Sequence, residues 1–247
     1  MISTSYCILM SDMEKTSRIK LLVIAAHPDD EILGAYSYLS NSNFQSLTVF
    51  VCEGSSARFQ FGEESTLKDL AVREREQAAI AAAQRLGNQH PVFLNFPNFS
   101  LSSKSILEIN KKIEEVVNSF KPEIVITHDT FCNNLDHSTV SIAVSNLLRT
   151  NVYPAIKTLL HMEIPSSTEQ TTNLSFHPNH FIILNSEQVD QKISTLSLYG
   201  AELQRNPGPR SDYGIRAYAA FRGITAGTFF AESFRIVRSI KEHGGIS

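Results

Sequence analysis

The chain has 247 residues, 42% of them hydrophobic, with 22 basic and 25 acidic side chains and a formal charge of −3. That length and apolar share are enough to bury a full core as one domain, and the near-balanced charge gives no electrostatic footprint for nucleic acid. Cys7, Cys52 and Cys132 lie scattered without CxxC spacing. Neither a disulfide framework nor a thiolate zinc site is therefore expected, and reduced thiols fit a cytoplasmic setting. Residues 1–18 are polar and rich in Ser and Thr, and their one apolar patch, at 7–10, is too short for a signal sequence. They read as an N-terminal extension, with residues 19–247 as a single domain. No apolar run approaches the length of a membrane span.

In chain order, the first strand is expected at 21–25, an unbroken apolar run that delivers Ala26-His27-Pro28-Asp29-Asp30-Glu31 to its C-terminal end. A helix follows over 30–39, then a strand at 47–52 with a loop through Gly54-Ser55-Ser56. The longest helix spans 67–86, rich in Ala, Glu, Gln and Arg and closed by Gly87. A short strand at 92–94 opens into a loop over 95–103. Ile106, Ile109, Ile113, Val116 and Val117 mark a helix over 105–120, stopped before Pro122. Strands at 124–127, 158–161 and 181–184 alternate with helices over 136–148 and 187–203, and residues 205–210 form a basic, turn-rich loop. Near-continuous apolar strands alternating with helices imply an α/β fold, a Rossmann-like three-layer sandwich around a mostly parallel sheet.

In such a sheet, ligands bind at the C-terminal ends of the strands. His27 and Asp30 suit a divalent metal, and Asp29 is left free as a base. The strand at 124–127 points to the same edge and runs into a segment ending Asn134-Leu135-Asp136-His137. His137 can therefore meet His27 and Asp30, and two imidazoles with one carboxylate are the ligand set of an open catalytic zinc site. Each fragment alone has a plainer reading, since Asp29 and Asp30 also suit a helix N-terminus. Two such clusters after two strands of the right kind favour the metal. The site does not select zinc over Fe2+ or Co2+.

At these residues the chain resembles the LmbE-like zinc N-deacetylases, which include the N-acetylglucosaminyl-phosphatidylinositol deacetylases. The resemblance rests on residues 26–31 and on Asp136-His137. Weaker support comes from Glu53-Gly54, an Arg-x-x-Glu element at 73–76, Leu86-Gly87 and Lys121-Pro122-Glu123. It implies that His27, Asp30 and His137 hold Zn2+, that Asp29 is the general base, and that the substrate is a small N-acetylated amino sugar. Glu53 and Arg73 would flank that sugar, with Arg75 a competing choice because of the helix length. Many members carry His-Pro-Asp-His where this chain reads 134–137. Asn134 donates a hydrogen bond to an oxyanion but no proton at neutral pH. The acid is then Asp29 itself, or His128, His177 or His180 from a neighbouring segment, while Asp136 orients a ligand. Arg205, Arg210, Arg216 and Arg222 are candidates for an anionic group on the substrate, with Arg222 the favoured one. Metal-dependent hydration or lyase chemistry and a non-catalytic sugar-binding module are the alternatives on the same scaffold. Assembly of identical subunits is left open.

Overall fold

A computed structural model describes residues 18–59, 65–170 and 176–243. Of the expected extension at 1–18, residues 1–17 lie outside the described residues. Among the described residues, seven strands and six helices follow one another as β1 (Ile19–Ala25), α1 (Asp30–Leu39), β2 (Phe44–Cys52), α2 (Ser65–Arg85), β3 (Val92–Phe96), α3 (Ile106–Phe120), β4 (Ile124–His128), α4 (Leu135–Leu147), β5 (Thr158–Met162), β6 (His180–Leu184), α5 (Ser186–Leu196), α6 (Asp212–Thr225) and β7 (Phe230–Ser239). The sheet order is β3-β2-β1-β4-β5-β7-β6. All pairings from β3 through to β5 are parallel, whereas β7 runs antiparallel to both β5 and β6. The fold is thus the expected α/β sandwich with a mostly parallel sheet.

The unbroken apolar run of β1 makes sense because both of its faces are covered. Leu22 and Ile24 join a core with Ile109, Ile113 and Val117 of α3 and Val140, Ala143 and Val144 of α4. Leu21, Val23 and Ala25 point the other way, into a core with Ile32 and Leu33 of α1, Ala79 and Ala82 of α2 and Ile215 of α6. A strand's two-residue period divides one apolar string between two layers. Each fully buried Leu or Ile contributes about 1.5–3 kcal/mol, and β1 supplies five wholly enclosed side chains from residues 21–25.

Two elements differ from expectation. The helix expected over 187–203 ends at Leu196 and continues as a 3-10 turn, Ser197–Glu202, with non-helical backbone at Tyr199. Residues 212–239, where no strand or helix is expected, form α6 and β7. β7 carries Glu232 and Ser233 on its buried stretch, which hides its apolar pattern. Glu232 is satisfied there by Lys192 Nζ at 2.6 Å and by the Ser37 N–H at 2.7 Å.

The strand order reverses between β1 and β4, the two neighbours whose connections leave in opposite directions. Such a switch point opens a crevice at the C-terminal edge of the sheet. His27 to Asp30 follow β1, and His137 lies in the first turn of α4, just beyond β4.

Candidate active site

Pro28 and Asp29 turn the chain from β1 into α1. Asp29 occupies the N-cap position but caps nothing: its φ is 118° and its side chain accepts no hydrogen bond from the helix. A non-glycine residue in that region is strained, and such strain persists only where surrounding contacts hold it. Arg75 of α2 supplies them, donating through Nε to Pro28 O at 2.8 Å and through Nη2 to Asp29 Oδ1 at 3.1 Å. The same guanidinium donates to Gly54 O. Gly54 has φ 80°, and a Cβ there would stand 2.9 Å from Arg75 Cζ, so both backbone and space call for glycine.

Three donor atoms converge beside this turn. His27 Nδ1 lies 3.3 Å from His137 Nε2 and 3.3 Å from Asp30 Oδ2, and His137 Nε2 lies 3.2 Å from Asp30 Oδ2. A tetrahedral ion with ligands at about 2.0–2.1 Å has edges of about 3.3 Å, so the triangle matches one face of such a site. All three side chains are buried, and Asp30 Oδ1 has no partner among the described residues. The electrostatics also suit a cation. Burial opposes charge on His27, yet Asp136 and Asp30 outweigh it and hold His27 well above its ordinary value. Burial likewise opposes the charged form of His137, but Asp30 and Cys132 bring it up to about 9. Burial disfavours the Asp30 carboxylate, but His137, His27 and His128 pull it well below the usual range. The residues present fit a divalent metal.

The supporting contacts set the tautomers. His27 Nε2 faces Asp136 Oδ2 at 3.0 Å, leaving Nδ1 to point at the other two donors. Asp136 in turn accepts the N–H of Phe99 at 2.7 Å and of Leu101 at 3.3 Å. A carboxylate behind a ligating imidazole fixes the ring and raises its basicity. Asn134 is the N-cap of α4, its Oδ1 accepting from Asp136 N at 2.9 Å and His137 N at 3.4 Å. The cap occupies the amide oxygen and leaves the Nδ2 donors free of that task. Cys132 Sγ lies 3.3 Å from His137 Nδ1.

The other candidate residues take varied places around this centre. His128 is fully buried, its Nε2 accepts the Ala26 N–H at 2.7 Å, and its ring stacks on His137 with centroids 3.9 Å apart. Burial, with the neighbouring His137, keeps it well below its ordinary pKa. It backs the His137 ring from the protein interior. Glu53 uses both oxygens on backbone N–H groups, those of Ser55 (2.6 Å), Ser56 (2.9 Å) and Asn98 (2.9 Å). It ties two loops together. Arg73 is exposed on α2, and Arg75, the competing choice, holds the buried place. Arg222 forks onto Glu163, with Nε 2.9 Å from Oε2, and reaches Glu169 Oε1 at 2.6 Å, so its charge is already matched. Arg216 pairs with Asp190, and Arg205 is exposed. His180 bonds Tyr38 Oη through Nε2 at 2.9 Å, whereas His177 is exposed in a loop.

Sequence reading missed the other half of the Asp29 environment. Arg210 Nη1 lies 2.9 Å from Asp29 Oδ2, and Glu202 forms ion pairs with both Arg75 and Arg210 at 3.0 and 3.2 Å. Burial pushes the Asp29 carboxyl up, Arg210 and Arg75 pull it back, and Asp30 and Glu202 add to the rise. Behind it, Tyr199 Oη donates to Glu31 Oε1 at 2.5 Å, and burial raises Glu31 to about 8. A cleft of about 230 Å3 opens here, lined in part by Ser55, Arg58, Arg75, Tyr199 and Glu202. Only the crowding of arginines near residue 210 hinted at this network.

The fold and site define an α/β protein with a His2Asp metal-competent centre at a sheet switch point. The family model described as PIG-L, GlcNAc-PI de-N-acetylase, matches residues 22–148, more than half of the chain, and the protein belongs to that family. No curated protein sequence matches it significantly. Among solved structures, it is similar to the N,N′-diacetylchitobiose deacetylase of Pyrococcus horikoshii, with a TM-score of 0.70 and 16% identity over 89% of this chain and 84% of that one. The A40926 pseudoaglycone deacetylase Dbv21 superposes with a TM-score of 0.68 at 17% identity, covering 91% of this chain and all of that one. GalB, the 4-carboxy-2-hydroxymuconate hydratase of Pseudomonas putida KT2440, gives 0.67 at 20% identity, covering 93% of this chain and all of that one. At such identities these likenesses establish a shared fold.

Proposed function

We propose that the protein is a metal-dependent hydrolase that removes the N-acetyl group from a small amino sugar. The observation that carries this reading is the buried triangle of His27 Nδ1, Asp30 Oδ2 and His137 Nε2, 3.2–3.3 Å on each edge, beside the separate carboxylate of Asp29. A divalent ion such as Zn2+, or Fe2+ or Co2+ in its place, supplies Lewis acidity toward the acetyl carbonyl and a water of pKa near ~7. Asp136 keeps His27 in the tautomer that offers Nδ1. Asp29 Oδ2 is ion-paired with Arg210 Nη1 at 2.9 Å and Oδ1 with Arg75 Nη2 at 3.1 Å, contacts that favour the carboxylate form, and Asp29 is the group that takes the proton from the attacking water. That proton passes to the nitrogen as the C–N bond breaks, releasing acetate and an amine. Asn134 Nδ2 donates to the oxyanion formed on the way. Neither His128 nor Arg222 is needed. No nucleic-acid partner is proposed, given the charge of −3. The free thiols of Cys52 and Cys132 support a cytoplasmic setting, and no helix of the described residues is long and apolar enough to cross a membrane.

The test is acetate release across N-acetylated monosaccharides and their phosphate and nucleotide conjugates, with and without a chelator. Chelator-sensitive acetate from at least one is expected. Metal-loaded protein that frees acetate from none of them would overturn the reading. One observation favours a second reading: GalB, a hydratase, has the same fold. Water addition to an activated double bond would call on the same His2Asp centre, and loss of ultraviolet absorbance from a 2-hydroxydienoate, without acetate release, would select it.

A further inference from the structure

A helix on a protein surface ordinarily turns an apolar stripe inward and polar side chains outward. α3 follows that rule, burying Ile109, Ile113 and Val117 while Glu108, Lys111, Lys112 and Glu115 stand in solvent. α6 does not. Its inner face buries Ile215 and Ala219. Its outer face carries Tyr213, Ala217, Phe221 and Ile224, spaced four, four and three residues apart, so that they stack along one side of the helix. Tyr213 is 62% exposed, Phe221 54% and Ile224 77%. Of the 14 residues of α6, only Asp212, Arg216 and Arg222 are charged. Arg222 is buried on Glu163, and Arg216 is paired with Asp190.

The patch continues past the end of the helix. Phe229 is 86% exposed in the turn before β7. Thr228 N donates to Gly223 O at 2.8 Å, and a Cβ on Gly223 would stand 2.4 Å from Phe229 O, so this turn lies directly against the last turn of α6. The exposed parts of Tyr213, Phe221, Ile224 and Phe229 present about 500 Å2 of apolar surface. Contiguous apolar patches of that size mark interaction surfaces. A second copy doubles the area. Two such patches face to face bury about 1,000 Å2 from these side chains alone, the threshold of a specific interface, before any flanking residue is added. The charges agree, because Arg216 at the border of the stripe is already matched within the protein and the face calls for an apolar partner. Two α6 helices packed antiparallel about a two-fold axis set each stripe against its equal, with their dipoles opposed head to tail.

We propose that the outer face of α6, Tyr213, Ala217, Phe221 and Ile224, together with Phe229, is the interface through which two copies of this chain form a symmetric dimer. The dimer stands apart from the reaction assigned to the metal-competent centre. Its anchors are the aromatic rings and Ile224, and each copy supplies to the other the apolar cover that the second side of α6 lacks among the described residues.

The test is sedimentation equilibrium of the full chain over a range of micromolar concentrations. The wild-type protein is expected at about twice its monomer mass of 27.5 kDa. Phe221→Glu combined with Ile224→Glu should bring the mass down to that of one chain and weaken association by at least about a hundredfold. Circular dichroism should stay as in the wild type, because both side chains stand in solvent. A matched variant on exposed apolar residues of α2, Leu67→Glu with Leu70→Glu, should remain dimeric. Wild-type protein that stays a single chain throughout overturns the proposal. So does a Phe221→Glu, Ile224→Glu variant that still associates, and so does dissociation of the α2 variant. Should the α6 double variant lose its fold, Tyr213→Glu is expected to weaken association by at least about tenfold, and unchanged association there overturns the proposal equally. Flotation with phosphatidylcholine vesicles supplies the last arm. Monomeric wild-type protein that floats, with a Phe221→Glu, Ile224→Glu variant that does not, would assign the face to a membrane surface and overturn the dimer.

Discussion

Asp29 is held at its place by two arginines and a strained backbone. Its neighbour Asp30 directs Oδ2 to the donor triangle. Two adjacent carboxylates are thus separated in role by the turn between them. Replacement of Asp29 by Asn keeps the shape but removes the proposed base. Asp29→Asn is expected to retain bound metal, measured by elemental analysis, while turnover falls by about 10²–10⁴-fold; near-normal acetate release would remove Asp29 from the base role. The arginines offer a sharper contrast. Arg73→Ala, at an exposed position, should leave stability within about 0.5 kcal/mol and activity near normal. Arg75→Ala removes a buried cation from Asp29 and Glu202, and should cost about 3–5 kcal/mol in denaturant unfolding as well as most of the activity. Similar behaviour of the two variants would contradict the placement of Arg75.

At the scale of elements, the first turn of α4 combines two tasks. Asn134 closes the helix with its amide oxygen and, in the proposed reaction, uses its amide nitrogen on the oxyanion. The two tasks separate by substitution. Asp at 134 retains a capping oxygen but has no N–H, so Asn134→Asp should unfold at nearly the wild-type denaturant concentration while kcat falls by about 10²-fold or more. Asn134→Ala should lose both activity and about 1 kcal/mol of stability. An active Asn134→Asp variant would restrict Asn134 to the cap. The turn before α1 presents the opposite case, because Asp29 sits at an N-cap position and gives its side chain to Arg75 and Arg210 instead. A local rule is broken there in favour of the site, which is where such breaks are expected.

Across the whole molecule, the late segments complete what the early ones begin. Lys192 of α5 donates to Leu33 O of α1 at 2.8 Å and to Glu232 of β7 at 2.6 Å, and Glu232 accepts the N–H of Ser37. This buried pair joins the helix that carries Asp30 to the antiparallel strand inserted beside β5. Lys192→Met leaves Glu232 charged and unpaired, so a loss of about 3–5 kcal/mol is expected in urea unfolding, with part of it regained in Lys192→Met combined with Glu232→Gln; a loss below about 1 kcal/mol would show that the pair does not join these elements. The strand–helix alternation and the donors His27, Asp30 and His137 are legible in the sequence because they depend on local spacing. Apolar period distinguishes strand from helix, and parallel strands bring their C-terminal ends to one edge whatever lies between them. The choice between Arg73 and Arg75 is not legible, since positions two apart lie about 200° apart around a helix, and only the packing of α2 on the Asp29 turn selects one. The same holds for Arg210 and Glu202, which reach Asp29 from more than 170 residues along the chain, and for β7, whose buried Glu232 and Ser233 mask its pattern until Lys192 and Glu163 are in place. Residue order by itself determined the sheet edge and the meeting of His27, Asp30 and His137 there, because both follow from local periodicity and motif spacing. Only tertiary structure decided which charges surround Asp29, because those contacts join distant segments whose meeting no local pattern encodes.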